Sequence, residues 1–189
     1  EKHQAYVVVD EAHALGVLGE KGEGLVQSLQ LQETVFARIV TFGKAIGCHG
    51  AIVLGSEILR SYLINFARSF IYTTAAPLHN TLAVNCAYQL LKEGSFEQQI
   101  QQKVSLYNSL MQNSNLPTIK SESAIQTILF NNNANAKNAA VQLQLKGFDV
   151  RAILSPTVPE GKERLRICLH IYNTDQEIKD LVNHLKEIA

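Results

Sequence analysis

Three side chains near the start of the chain have the types and spacing for chemistry: Asp10, His13 and Lys44. Asp10 opens the run Asp10-Glu11-Ala12-His13 where an apolar, β-branched stretch ends. In open α/β sheets ligands bind just beyond the carboxyl ends of strands, so Asp10 and His13 are placed to face one. Lys44 lies in Thr41-Phe42-Gly43-Lys44-Ala45-Ile46-Gly47, which follows a second apolar stretch. Small residues around a lysine let a bulky ring approach the backbone, and a desolvated amine there is a nucleophile toward aldehydes. Each motif alone has other readings. Asp-Glu-Ala-His is also a helicase signature, but a helicase places its phosphate loop earlier in the chain. Gly43-Lys44 lacks the GxxxxGK frame and the following Ser or Thr of a P-loop.

The elements that must position these groups alternate. Tyr6–Val9, ending at Asp10, reads as a buried parallel strand. The glycine-punctuated stretch Gly16 to Gly24 reads as loop, lacking the strand-to-helix context of a phosphate cradle. Arg38–Phe42, Ala51–Leu54 and Ser69–Tyr72 read as strands, with a helix capped by Ser56 and running to about Ala67. Pro77 suits the first turn of the next helix, broken at Gly94-Ser95. A helix from Phe96 to about Gln112 is expected to bury Ile100, Val104, Leu106 and Leu110. Strands follow at Ile125–Phe130, Val150–Ile153 and Arg164–Leu169, with helices at Ala134–Leu145, ended by Gly147, and at Asp175–Ile188. This order makes the class α/β or mixed α+β, with a change of pattern that divides residues 1–95 from 96–189.

Composition limits the function. Seventeen basic and seventeen acidic residues in 189 leave no surplus of the kind nucleic-acid binding requires. No apolar run approaches the ~20 residues of a membrane helix, and the opening residues show no leader pattern. They enter a strand abruptly, as though partway through a domain. Cys48, Cys86 and Cys168 are odd in number and widely spaced, which argues against a disulfide framework or a zinc site and fits a reducing compartment. Their small or apolar neighbours predict buried structural thiols.

Together the motifs resemble the α-oxoamine synthases, a family of fold-type I enzymes that use pyridoxal 5′-phosphate (PLP). The resemblance rests on Val7-Val8-Val9-Asp10-Glu11-Ala12-His13-Ala14-Leu15-Gly16, on Thr41 through Ala51, and on Phe70-Ile71-Tyr72-Thr73-Thr74-Ala75-Ala76-Pro77. Ser155-Pro156-Thr157-Val158-Pro159 and Arg164-Leu165-Arg166 complete it, so it covers essentially the whole chain. It implies that Lys44 bonds to the cofactor aldehyde and then serves as acid and base at the substrate Cα. It implies that Asp10 pairs with the pyridine nitrogen, that His13 bonds the ring's phenolic oxygen, and that Thr41 donates to the phosphate. Thr73 and Thr74 would reach the phosphate of a neighbouring subunit's site, or serve equally as a turn before the Pro77 helix. Thr157 would contact substrate, or be a loop residue between prolines. Arg166 would hold the substrate carboxylate bidentately, its alternative being a surface ion pair.

Family members are about twice this length. The resemblance therefore implies the C-terminal half of a fold-type I transferase: a partial, mostly parallel large-domain sheet with helices (1–95, with an interdomain helix), then a small α+β domain (96–189). Taken alone, such a half would expose a sheet edge and apolar surface and would be inactive. The Thr-Phe-Gly-Lys-Ala wording is similar to members acting in biotin biosynthesis. These condense L-alanine with a pimeloyl thioester, of coenzyme A or an acyl carrier protein, giving 8-amino-7-oxononanoate, carbon dioxide and the free thiol. The implied state is a cytoplasmic homodimer sharing its sites, with no metal, nucleic-acid or membrane partner. A sister synthase using glycine or serine with another acyl-CoA, and a non-catalytic interaction fragment, are the alternatives.

Overall fold

A computed structural model describes residues 3–112 and 114–188. It divides into two compact units, Glu1–Glu97 and Gln98–Ala189.

The first unit is built on a three-stranded sheet of β1 (Val8–Asp10), β2 (Ala37–Thr41) and β3 (Ala51–Gly55), in the order β1-β2-β3. Of the mostly parallel sheet expected, it holds one parallel pair, β1 with β2, and one antiparallel pair, β2 with β3. A single-turn helix α1 (Leu25–Ser28) lies between β1 and β2. After β3 come α2 (Glu57–Phe66), α3 (Arg68–Ile71) and α4 (Leu78–Glu93). The Ser56 hydroxyl caps α2 by accepting from the Leu59 amide at 3.2 Å, and Pro77 precedes α4. The residues Ser69–Tyr72, expected as a strand, form the turn of α3 instead. There the Ile71 amide donates to the Ala67 carbonyl at 2.9 Å and the Tyr72 amide to Arg68 at 3.1 Å. A four-residue apolar run has too little periodicity to separate strand from helix, and local hydrogen bonds decided it.

The core of this unit is small: Ala12, Leu15, Val26, Ala37 and Val40. Both edge strands carry uncovered apolar side chains, Tyr6, Val7 and Val8 at β1 and Ile52, Val53 and Leu54 on β3. No residue of α2, α3 or α4 is buried.

The second unit is better packed. Here β4 (Ile125–Leu129), β5 (Arg151–Ile153) and β6 (Arg164–Cys168) form an antiparallel sheet in the order β4-β6-β5. Its helices are α5 (Phe96–Met111), α6 (Asn133–Leu145) and α7 (Asp175–Ile188). Alternation along β6 buries Leu165 and Ile167 and turns Arg166 and Cys168 outward. The face of α7 that packs is Ile178, Leu181, Val182 and Leu185, a spacing of three, four and seven. Its start is a reciprocal cap: the Thr174 hydroxyl accepts from the Glu177 amide at 3.2 Å, and the Glu177 carboxylate accepts from the Thr174 amide at 2.7 Å.

The buried face of α5 is Ile100, Val104, Tyr107 and Met111, whereas Leu106 and Leu110 are only half-buried. Tyr107 completes the i, i+3, i+4 series that those leucines break. The cysteines also depart from expectation: all three are free, Cys86 and Cys168 are exposed, and Cys48 is half-buried. Strand alternation puts Cys168 on the outer face with Arg166. Among the described residues no helix is long and apolar enough to cross a membrane.

The Tyr107 hydroxyl is buried and has no hydrogen-bond partner among the described residues. Burial pushes its phenol well above the ordinary value of 10.0. A pKa raised on folding gives stability that is complete below the unfolded value and declines as pH rises above it. Tyr107→Phe is therefore expected to stabilise the protein by about 1 kcal/mol at neutral pH, with a gain that grows above about pH 10. Urea unfolding across pH measures both.

Candidate functional site

The site is assembled where β1 and β2, being parallel, end on the same edge of the sheet. The register pairs Asp10 with Ile39. Since side chains alternate, Asp10, Ile39 and Thr41 share one sheet face, while Glu11, Arg38 and Val40 share the other.

That opposite face is held by a buried ion pair. Glu11 is only 1% exposed. Its Oε2 accepts from Arg38 Nε, and its Oε1 from the Val26 amide at 2.9 Å. Arg38 Nη2 also donates to the Glu23 carbonyl. One arginine thus ties β2 to both the start and the end of the glycine-rich loop. Gly24 makes room for it: a Cβ there would stand 2.6 Å from Arg38 Nη2 and 2.9 Å from the Glu11 carboxylate oxygens. Neither charge was singled out as functional in the sequence. The available signal was a charged residue within each apolar strand region, since a buried charge requires a partner.

Lys44 lies on the connection Phe42–Gly50 between the antiparallel strands β2 and β3. The Phe42 amide donates to the Gly50 carbonyl at 2.9 Å, the Cys48 amide to Phe42 at 2.7 Å, and the Gly47 amide to Lys44 at 3.0 Å. These bonds close the loop and leave the Lys44 side chain exposed, with no ion-pair or hydrogen-bond partner for its ammonium among the described residues. The loop carrying His13 packs against it. Gly16, at φ +79°, faces Ala45 so closely that an added Cβ would be 2.7 Å from the Ala45 Cβ. The Phe42 and Tyr88 rings meet edge to face at 6.3 Å, joining α4 to the same loop. Partial burial pushes the Tyr88 phenol up, and the Arg38 guanidinium pulls it back.

The polar groups on the Asp10 face are differently engaged. One Asp10 oxygen accepts from the Ala12 amide at 2.9 Å and shapes the turn into the His13 loop. The residue is exposed, and its second oxygen has no partner among the described residues. His13 is exposed beside that turn. The Thr41 hydroxyl is buried and without a partner among the described residues. A buried donor left unpaired costs about 1–3 kcal/mol, so it is a place where a bound acceptor gains.

The structure thus brings Asp10, His13, Thr41 and Lys44 to one end of one sheet. Thr73 and Thr74 lie in the exposed turn between α3 and α4. Thr157 and Arg166 belong to the second unit, Thr157 exposed in the loop after β5 and Arg166 exposed on β6. No group of three or more candidate metal ligands exists among the described residues.

The sequence model of the aminotransferase class I and II family matches residues 1–185. The chain belongs to that family. Among relatives of the aminotransferase class I and II chain, an 8-amino-7-oxononanoate synthase of Emericella nidulans is 42% identical over 184 residues, which cover 94% of this chain and 45% of the relative. The crystal structure of 8-amino-7-oxononanoate synthase from Francisella tularensis is similar at a TM-score of 0.86 and 31% identity, over 95% of this chain and 53% of that one. A serine palmitoyltransferase of Sphingomonas wittichii gives a TM-score of 0.88 at 21% identity, over 99% and 48%, a likeness of fold alone. The chain spans about half the length of the curated relatives it matches. Its fold is the aminotransferase-like α/β fold.

Removing one member of a buried pair strands the other charge, whereas replacing both with apolar groups does not. Glu11→Ala is expected to destabilise the protein by about 3–5 kcal/mol, and Glu11→Ala combined with Arg38→Met by clearly less. Chemical denaturation of the two variants checks the order. A double variant as unstable as the single one contradicts it.

Proposed function

We propose that this chain is the C-terminal half of an enzyme that uses PLP to condense L-alanine with a pimeloyl thioester, releasing carbon dioxide and the thiol carrier and giving 8-amino-7-oxononanoate. The observation that carries the cofactor reading is the Thr41 hydroxyl, buried and without a partner among the described residues, three residues before the exposed Lys44 and on the sheet face that Asp10 shares. An amine, a hydroxyl donor and a carboxylate suit the three polar features of PLP: aldehyde, phosphate and ring nitrogen. The relatives named 8-amino-7-oxononanoate synthase, at 36–42% identity, support the choice of reaction.

When bound, PLP supplies an electron sink for the pair released at the substrate Cα. The residues of this chain supply the rest. Lys44 would hold the group through its amine and, once freed by the incoming amino acid, would serve as the base that takes the Cα proton and the acid that returns one. Asp10 would face the ring nitrogen with the carboxylate oxygen that has no partner among the described residues, favouring the protonated ring. His13 would donate to the phenolic oxygen, and Thr41 to the phosphate. Arg166 binds the amino-acid carboxylate through its guanidinium fork, and Thr157 contacts the same substrate. The enzyme is a cytoplasmic homodimer, with Thr73 and Thr74 reaching the partner's phosphate site.

The test uses the full-length enzyme. L-Alanine is expected to perturb the visible absorbance of the bound cofactor, and glycine and serine are not. Product formation should need a pimeloyl thioester, presented on coenzyme A or on a carrier protein. Lys44→Ala should lower kcat at least 10³-fold, because the residue supplies both attachment and proton transfer. A response to glycine or serine alone assigns a sister synthase instead. An enzyme with no cofactor absorbance, unaffected by Lys44→Ala, contradicts the proposal altogether.

A further inference from the structure

We propose that Arg151 is a second anion-binding guanidinium beside Arg166, so that a substrate carboxylate is held by two arginines on the outer face of the small sheet. This rests on the reading of Arg166 as a carboxylate-binding residue.

The placement follows from strand pairing. In the antiparallel β5–β6 ladder, Arg151 stands directly opposite Arg166. Directly paired residues share a face, with Cβ atoms roughly 4.5–5.5 Å apart. Both are exposed, on the face that alternates with the buried Leu165 and Ile167. On the other side of the central strand the same row ends in Thr127. The neighbouring row is Leu129, Arg164 and Ile153, and Ile125 pairs with Cys168 beyond. The same face thus also carries the aliphatic Leu129, Ile153 and Ile125.

Like charges directly opposite on a ladder are destabilising. Little within the unit offsets this pair. Arg151 Nη2 meets Asp149 Oδ1 at 2.9 Å, but both side chains are about two-thirds or more exposed, and such a pair contributes about 0–1 kcal/mol. Arg166 has no ion-pair or hydrogen-bond partner among the described residues. Arg164, two residues along on the same face, donates from its Nε to the Lys162 carbonyl at 3.0 Å. An anion bound between Arg151 and Arg166 removes the repulsion and gains two planar forks at once, the geometry that carboxylates match best. The carboxylate has two possible sources, the α-carboxylate of the amino acid and the far carboxylate of the pimeloyl chain.

Arg151→Gln, Arg151→Lys and Arg166→Gln in the full-length enzyme decide the matter, with KM and kcat measured separately. Arg151→Gln should raise one KM about 5- to 20-fold, leave kcat within about twofold and leave the thermal midpoint unchanged or higher, since a repulsive neighbour has gone. Arg151→Lys should recover part of the affinity. A rise in KM for L-alanine assigns the α-carboxylate. A rise for the pimeloyl thioester, but not for the heptanoyl thioester that lacks the terminal acid, assigns the far carboxylate. If Arg166→Gln raises a KM and Arg151→Gln does not, the inference fails while the reading of Arg166 stands. If neither variant moves a KM, the reading of Arg166 fails and this inference with it. A lowered thermal midpoint with unchanged KM in Arg151→Gln makes the residue structural and overturns the proposal.

Discussion

The buried pair of Glu11 and Arg38 is the constraint on which the first unit depends. A carboxylate this deeply buried is tolerated only when its charge is matched and its oxygens are bonded. Glu11 meets both conditions through Arg38 and the Val26 amide. Because Arg38 lies on β2 and also holds the Glu23 carbonyl, satisfying Glu11 fixes the loop after β1 against the strand that leads to Lys44. Gly24 follows from the same requirement, and Gly16 from the packing of the two loops. One admits the guanidinium against the backbone, and the other lets the His13 loop rest on Ala45.

The two faces of the short β1–β2 ladder then divide the work. Glu11 and Arg38 spend their charge on structure on one side. On the other side Asp10 and Thr41 keep polar capacity in reserve: a carboxylate oxygen and a buried hydroxyl, neither with a partner among the described residues. Unmet capacity of this kind at the carboxyl ends of parallel strands is where a ligand gains most. The fold invests little elsewhere in this unit, whose α2, α3 and α4 bury no residue. The second unit has its own core, and its outer sheet face carries the arginines.

Much of this was legible in the sequence because local signals agreed. Helix α7 occupies the expected residues, since Thr174 and Glu177 cap it and its apolar positions recur at helical spacing. Ser56, Pro77 and Gly147 mark helix ends as their chemistry predicts. The motif residues around Asp10 and Lys44 lie at strand ends as their apolar lead-ins require. What was not legible depends on partners distant in sequence. Glu11 and Arg38 are 27 residues apart, and nothing local announces that they meet. The α5 face departs from expectation because Tyr107, whose ring is apolar enough to bury, takes the inward position in place of Leu106 and Leu110. The cysteines depart from expectation because apolar neighbours do not decide which side of a strand or helix a residue takes, and Cys168 falls on the outer side.

The central claim is that Lys44 is the residue to which the cofactor bonds. Borohydride reduction of the full-length enzyme loaded with PLP, followed by peptide mapping by mass spectrometry, tests it most directly. The account predicts a single stable pyridoxyl adduct, on Lys44 in the peptide that contains Thr41-Phe42-Gly43-Lys44-Ala45. An adduct on another lysine, with Lys44 unmodified, would contradict it.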